Sequence, residues 1–323
     1  MKFHNSPLPY LLFCLSFFLN LSSLSACLCE YIPFYRATSH AEILIADQKY
    51  EEAYELYLKT FESFRGFEHD YQNATLLAAK LKDTSAFFTL ARKALQAGQK
   101  FRWMEKTEAF SAYKSLADWA KLKEEALIIE EESYRMSELD KELEKIFKKD
   151  QRMRNFPFTL RWNNKFIFDK MWDRVDSTNY YRVKEIIHTH GFPSEKVVGR
   201  FEKAWTSRAA TYIMVHNHYI DPDTGFQATL YQEMCKGNLH AIDYAWIIDR
   251  RVRIEKETEH YATLFTRSVY KPNMSFSEFP SPFDTWDEKK LEDVNRMRAS
   301  IGLIRVEEAY KRMKLLGNFN FKF

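Results

Sequence analysis

Catalysis needs a nucleophile, a base or a charged clamp, and few residues of this chain have the spacing of one. His216 and His218 lie two apart near the end of a presumed helix, as do His188 and His190. Two positions along a helix turn the side chains about 200° apart, so neither pair can hold one metal ion, and no metal site is expected. His216 is kept as an acid or base that titrates near working pH. Asp249 and Arg250 close a long helix with Arg251 and Arg253 beside them. Asp249 with Arg253, and Asp150 with Arg154, read as i,i+4 ion pairs on helix faces. A functional reading instead gathers Arg154, Arg250 and Arg298 into a pocket that grips a carboxylate or phosphate bidentately. In an enzymatic, hydrolase-like version of that reading, His216 is the base, Asp249 orients it, and Arg250 and Tyr261 stabilise charge. No HExxH, GxSxG or CxxC motif occurs. The nearest glycines, Gly191 and Gly199, are too far apart for a Walker loop or a dinucleotide fingerprint, and no cofactor is expected.

The elements that must position these residues are helices. Only 8 glycines and 9 prolines occur in 323 residues, too little turn chemistry for an all-β fold. Between Pro33 and Pro157 there is no proline, and only Gly66 and Gly98 interrupt the run. Apolar residues from Ala41 to Tyr57 recur at three and four spacing, broken at Asp47-Gln48-Lys49, which predicts a helical hairpin. Tyr50, Ala53 and Tyr57 resemble the second helix of a tetratricopeptide unit, where a small residue allows close helix approach. A second hairpin spans Ala74 to Ala94, breaks at Lys82-Asp83-Thr84 and ends at Gly98 as a C-terminal cap. Two such units stack too weakly to stand alone, so the rest of the chain must cap them. Phe110, Tyr113, Leu116, Trp119 and Leu122 predict further helix, followed by the charged stretch Lys123 to Lys149. Beyond Asp150 shorter helices are expected. One is capped by Ser177 or Thr178 and runs to His190, one runs from Arg200 to Tyr219, and others follow from Phe226, Leu239, Asp287 and Val306. Residues 256–284 read as a long loop packed by its aromatics, with a lid at its tip.

Charge divides the chain, with a net of −3 over residues 1–150 and +6 over residues 151–323. The basic half falls short of a dedicated nucleic-acid binder, so no nucleic-acid partner is expected. The first residues read as an export signal, with Lys2 and His4 ahead of an uncharged run from Leu8 to Leu24. Leu24-Ser25-Ala26-Cys27 looks like a bacterial lipobox, in which Cys27 is lipidated and becomes the first residue. Ordinary secretion, leaving a soluble secreted or periplasmic protein, is the alternative. Of the remaining cysteines, Cys29 and Cys235 permit one disulfide without requiring it.

Several C-terminal residues carry a resemblance. In order they are Asp150-Gln151 with Arg154, Asn179, Gly191-Phe192-Pro193-Ser194, Val198-Gly199, Ala209, His216, Phe226-Gln227, Gly237, Tyr244-Ala245, Asp249-Arg250, Tyr261, Arg296 with Arg298, and Ile301-Gly302-Leu303. Over residues 140–317 the chain resembles an uncharacterised, helical, bacterial domain-of-unknown-function family, several of whose members follow an export signal. His216 is preferred among the histidines because it matches that family. Members commonly have Tyr-Gly-Thr-Gln where this chain has Tyr261-Ala262-Thr263-Leu264. The expectation is an all-α protein in three parts. A signal peptide fills residues 1–26, tetratricopeptide-like hairpins fill 27–149, and a multi-helix domain fills 150–323. It would sit in the cell envelope, tethered to the membrane through Cys27. As a binding or scaffold protein it would take a peptide or partner helix on the repeats, and an anionic small molecule or envelope polymer in the arginine pocket.

Overall fold

A computed structural model describes residues 29–135, 138–155, 165–198, 208–217, 225–256, 259–263, 283 and 285–316. The export signal, Cys27, the helix start at Arg200 and most of the 256–284 loop lie outside the described residues. Within them all regular structure is helical: the protein is all-α.

Helices α1 (Ile32–Ala46) and α2 (Tyr50–Ser63) form the first hairpin, and α3 (Glu68–Lys80) and α4 (Thr84–Gln96) the second. Both turn at the predicted places, and by one device. Gln48 at φ 59° and Lys82 at φ 60° adopt the left-handed conformation just past the helix end. The next amides, Lys49 and Asp83, then donate to Leu44 and Ala78 carbonyls of the last turn. Asp83 also caps α4, its side chain accepting from Ala86 N at 3.0 Å. Gly98 ends α4 in the same manner at φ 110°. The buried stripe of these helices, including Ala53, Tyr57, Ala74, Leu77, Phe87 and Ala91, makes one core.

Helix α5 (Phe101–Lys106), a 3-10 segment (Glu108–Tyr113) and α6 (Ala117–Arg135) close that core with Phe110, Tyr113, Trp119 and Leu122. Leu116 departs from expectation: it precedes α6 and faces solvent, because the continuous helical register begins one residue later. Helix α7 (Glu138–Arg154) runs through the expected division at 149/150 without a linker. Its Leu143 and Ile146 belong to the C-terminal core.

The C-terminal half contains α8 (Lys165–His190), α9 (Glu195–Val198), α10 (Ala209–Asn217), α11 (Gly225–Cys235), α12 (Ala241–Lys256), α13 (Glu288–Ser300) and α14 (Val306–Leu316). Helix α8 corrects the expected start at Ser177 or Thr178. It begins twelve or more residues earlier because Phe168, Trp172 and Val175 extend its apolar face onto Met153. The Thr178 hydroxyl donates back to the Arg174 carbonyl at 2.7 Å inside the helix rather than capping an end.

The amino-terminal segment is bound to the C-terminal body. Cys29 and Cys235 form a disulfide. Tyr31 N donates to the Cys235 carbonyl at 3.2 Å, and the Tyr35 hydroxyl lies 2.8 Å from both the Met234 and Leu239 carbonyls. Gly237, at φ 76°, lets the Tyr31 ring lie flat on the backbone, where a Cβ would come within 2.5 Å of that ring. At the other end α14 packs on α1, with ion pairs from Arg312 to Glu42 and from Lys311 to Asp47.

Candidate functional site

Helix α10 is apolar nearly all round and buried, and its last turn delivers His216 to a polar cluster between α7 and α8. Asp150, with no exposed surface, is the centre. Arg154 Nε lies 3.1 and 3.0 Å from its two oxygens, and Arg154 Nη2 lies 2.8 Å from Oδ1. The same Nη2 reaches both Asp176 oxygens at 3.2 Å, while Trp172 Nε1 donates to Asp176 Oδ2 at 2.8 Å. Gln151 donates to Asp150 at 2.8 Å, and His216 Nδ1 stands 3.4 Å from Asp150 Oδ2. Asn217 is fully buried with neither amide atom hydrogen-bonded by protein.

The two carboxyls are pushed in opposite directions. Burial raises Asp150, but the contacts from His216 and Arg154 outweigh it and hold it below the usual carboxylate range. Burial dominates at Asp176, which is raised, with the Asp150 charge adding to the effect and Arg154 opposing it. The arrangement can orient an imidazole through Nδ1 and leave Nε2 for proton transfer. It does not offer an open anion clamp, because Arg154 is already shared by two aspartates.

Asp249 has a different role from the expected one. Its Oδ1 accepts from the His260 and Tyr261 amides at 2.8 Å each, and its Oδ2 from the Thr263 amide and hydroxyl at 2.7 Å each. All its acceptor capacity goes to holding residues 260–263, where Ala262 sits at φ 53°. The carboxylate beside His216 is therefore Asp150, correcting the expected Asp249 orienter. Arg253 likewise pairs with Glu259 at 3.4 Å rather than with Asp249.

Arg298 donates to the Tyr261 carbonyl at 2.7 Å and the Ile304 carbonyl at 2.6 Å, and burial lowers its pKa to about 10. Tyr261 is buried against Tyr244, 6.2 Å between ring centres, and burial raises its phenol above the usual value. Arg250 keeps a buried Nε without a hydrogen bond. Arg154, Arg250 and Arg298 share no hydrogen-bond partner. Arg154 is engaged by Asp150 and Asp176, and Arg298 by two backbone carbonyls, so the expected joint anion pocket is corrected to separate structural contacts.

A second feature lies on the hairpins. An open cleft of about 460 Å³ runs between α2 and α4, with Leu58, Phe61, Ala86 and Leu90 along it and Glu62, Asp83 and Lys93 at its polar edge. Asp176, Asp70, Lys196 and His240 were missed in the sequence. Asp176 had a legible signal, since Trp172 lies four residues before it on one helix face. The other three sit on different elements and meet only in the fold.

Among the described residues no group of three or more potential metal ligands assembles, and no helix is long and apolar enough to cross a membrane. No family model, curated protein or solved structure matches the chain.

Proposed function

We propose that this is an exported, membrane-tethered binding protein that holds a partner peptide in the cleft between α2 and α4. The cleft carries the reading. Its volume lies in the range of ligand-binding pockets. Leu58, Phe61 and Leu90 offer an apolar wall for one or two anchor side chains, and Glu62 and Asp83 offer acceptors for a flanking basic residue. Two successive hairpins with matching turns support the tetratricopeptide-like reading, and such repeats bind peptides along their surfaces. The Cys29–Cys235 bond supports the exported address, because structural disulfides persist in oxidising compartments.

The hydrolase-like alternative is not carried forward. Asp249 holds the 260–263 segment, and the carboxylate beside His216 is Asp150, which Arg154 already engages, so the residues that reading names do not assemble.

The test is selection of displayed peptides on the oxidised protein, with Thr89→Trp as the blocked control. Thr89 is exposed at the cleft, so the indole fills it without entering the core. Peptides with an apolar anchor beside Lys or Arg should be enriched, and should lose at least tenfold in affinity for Thr89→Trp. No enrichment, or equal binding to the blocked form, sinks the peptide reading. Mass spectrometry of the mature amino terminus tests the tether separately: a diacylglyceryl group on Cys27 is expected, and an unmodified or absent Cys27 overturns it.

A further inference from the structure

Where the amino-terminal segment meets α9, a lysine is placed the wrong way round. Lysines ordinarily bury the stem and hold the ammonium in water. Lys196 is partly exposed as a residue, yet its Nζ is buried and makes no hydrogen bond. The nitrogen sits 3.8 Å from the ring centre of Phe67, 4.2 Å from Tyr31 and 5.3 Å from Phe34. Two carboxyls act on it through their charge, neither as an ion pair. Asp70, with no exposed surface, accepts from Phe67 N at 2.9 Å through Oδ2 and keeps Oδ1 without a hydrogen bond. Glu195 accepts from the Glu68 amide at 3.2 Å. His69 Nε2 is 3.3 Å from Asp70 Oδ1, and the His69 ring lies 5.1 Å from that of His240.

We propose that Lys196 is a covalent site for small aldehydes or ketones, forming an imine at Nζ. A carbonyl-reactive amine needs a nitrogen that no acceptor holds, an apolar surround and an acid within the cluster; the unbonded Nζ, the three rings and the buried Asp70 carboxyl correspond to these. Nζ adds to the carbonyl carbon, and the carbonyl oxygen takes a proton from the Asp70 carboxyl. The resulting N-protonated carbinolamine returns one nitrogen-bound proton to the Asp70 carboxylate, then loses its hydroxyl and the remaining nitrogen-bound proton as water to leave C=N. One carbonyl compound and one amine give one imine and one water, with no oxidant or reductant consumed.

The electrostatics agree. Burial lowers the Lys196 pKa to about 7, with Arg65 lowering it further and Asp70 and Glu195 opposing. Burial raises both Asp70 and Glu195, so each keeps a proton to donate at a higher pH than an exposed carboxyl. The charged and titratable groups around the amine are thus Tyr31, Arg65, His69, Asp70, Glu195 and His240, with Arg208 acting on His240.

At pH 7.4 a lysine of pKa about 7 is roughly 700-fold richer in free amine than one of about 10.4. Lower basicity returns about 50-fold of that at a Brønsted slope of about 0.5, leaving about tenfold. The experiment treats the full, oxidised chain with propanal and cyanoborohydride and reads alkylation residue by residue by mass spectrometry. Lys196 should react about tenfold faster than exposed Lys59, Lys123 and Lys236, its rate should level off above pH 7, and the excess should vanish in denaturant. A Lys196 rate at or below those three, or one that climbs to pH 10 as theirs does, overturns the proposal and leaves a purely structural cation–π contact.

Discussion

Replacing Lys196 by methionine keeps nearly the length of the side chain and puts a thioether, which also packs well on aromatic rings, in place of the charge. In the folded protein the ammonium releases its proton at about 7, against 10.5 for an ordinary lysine. Between those values the unfolded chain binds more protons than the folded one, so wild-type stability rises with pH across that window. At about 1.4 kcal/mol per unit, the span from pH 7 to pH 9.5 is worth about 3 kcal/mol. The Tyr31 phenol, raised by burial, titrates above that window. At pH 7 the variant should be more stable, by about 2–4 kcal/mol once the lost cation–π contact, about 0.5–2 kcal/mol, is subtracted. Urea unfolding followed by circular dichroism at pH 7.0 and 9.5 measures both numbers. The gap should shrink by about 3 kcal/mol at the higher pH. A gap that stays constant, or a variant less stable than wild type at pH 7, refutes the claim that this ammonium is held against its solvation.

Other consequences are open to measurement. The Cys29–Cys235 bond closes a loop of sequence separation 206, which chain entropy values at about 5 kcal/mol at most, so a Cys29→Ser, Cys235→Ser double variant should melt well below wild type; an unchanged melting temperature under non-reducing conditions contradicts the pairing. Asp249→Asn can accept on one side only and turns an amide against the donors on the other, costing about 2–4 kcal/mol. Hydrogen exchange at the Tyr261 and Thr263 amides should accelerate, and unchanged protection there argues against the cap. His240 is held well below its ordinary value by burial and then by His69, Lys196 and Arg208, so its contribution is complete above about pH 6.5 and lost as pH falls. His240→Asn keeps an acceptor for Ile242 N and should remove up to about 1 kcal/mol of the loss between pH 6.5 and 5.5. Acid sensitivity equal to wild type counts against it.

The hairpins were legible because their cues are local: three and four spacing, Asp83 before Thr84, and Gly98 past the end of α4. The turns at Gln48 and Lys82 were located by polarity, but their left-handed backbone has no glycine to announce it. The start of α8 was misread because Ser177 and Thr178 look like caps when the apolar contacts of Phe168 and Trp172 are unknown. Asp150 with Arg154 was legible as an i,i+4 pair, and it holds. What could not be read was partnership between distant segments. Nothing near His216 in sequence points to Asp150, which lies 66 residues away, and nothing near Lys196 points to Tyr31 or Asp70. Asp249 misled for the opposite reason: an Asp-Arg pair at a helix end can hold a following loop as well as a catalytic base, and the sequence does not show which amides will reach the carboxylate.

The change of net charge near residue 150 suggests two bodies, but the packing does not divide there. Phe34, Tyr35 and Phe67, all from the amino-terminal part, lie in the same core as Tyr180, Met214 and Ile248. Phe61 packs against both that core and the core of the hairpins, and it also lines the cleft. Its ring stands 4.5 Å from Tyr71, whose hydroxyl accepts from Gly66 N at 3.0 Å in the turn leading to Phe67 and Asp70. A Cβ on Gly66 would come within 2.8 Å of the Phe61 ring, so the turn and the ring fix each other's position. A peptide that displaced Phe61 would therefore press on the turn that carries one wall of the Lys196 cage. Because close-packed contacts respond by discrete repacking rather than by smooth deformation, this chain of contacts gives cleft occupancy a physical route to the lysine. Comparing Lys196 alkylation rates with and without a selected peptide would measure that coupling directly, and equal rates would show that the two sites are independent.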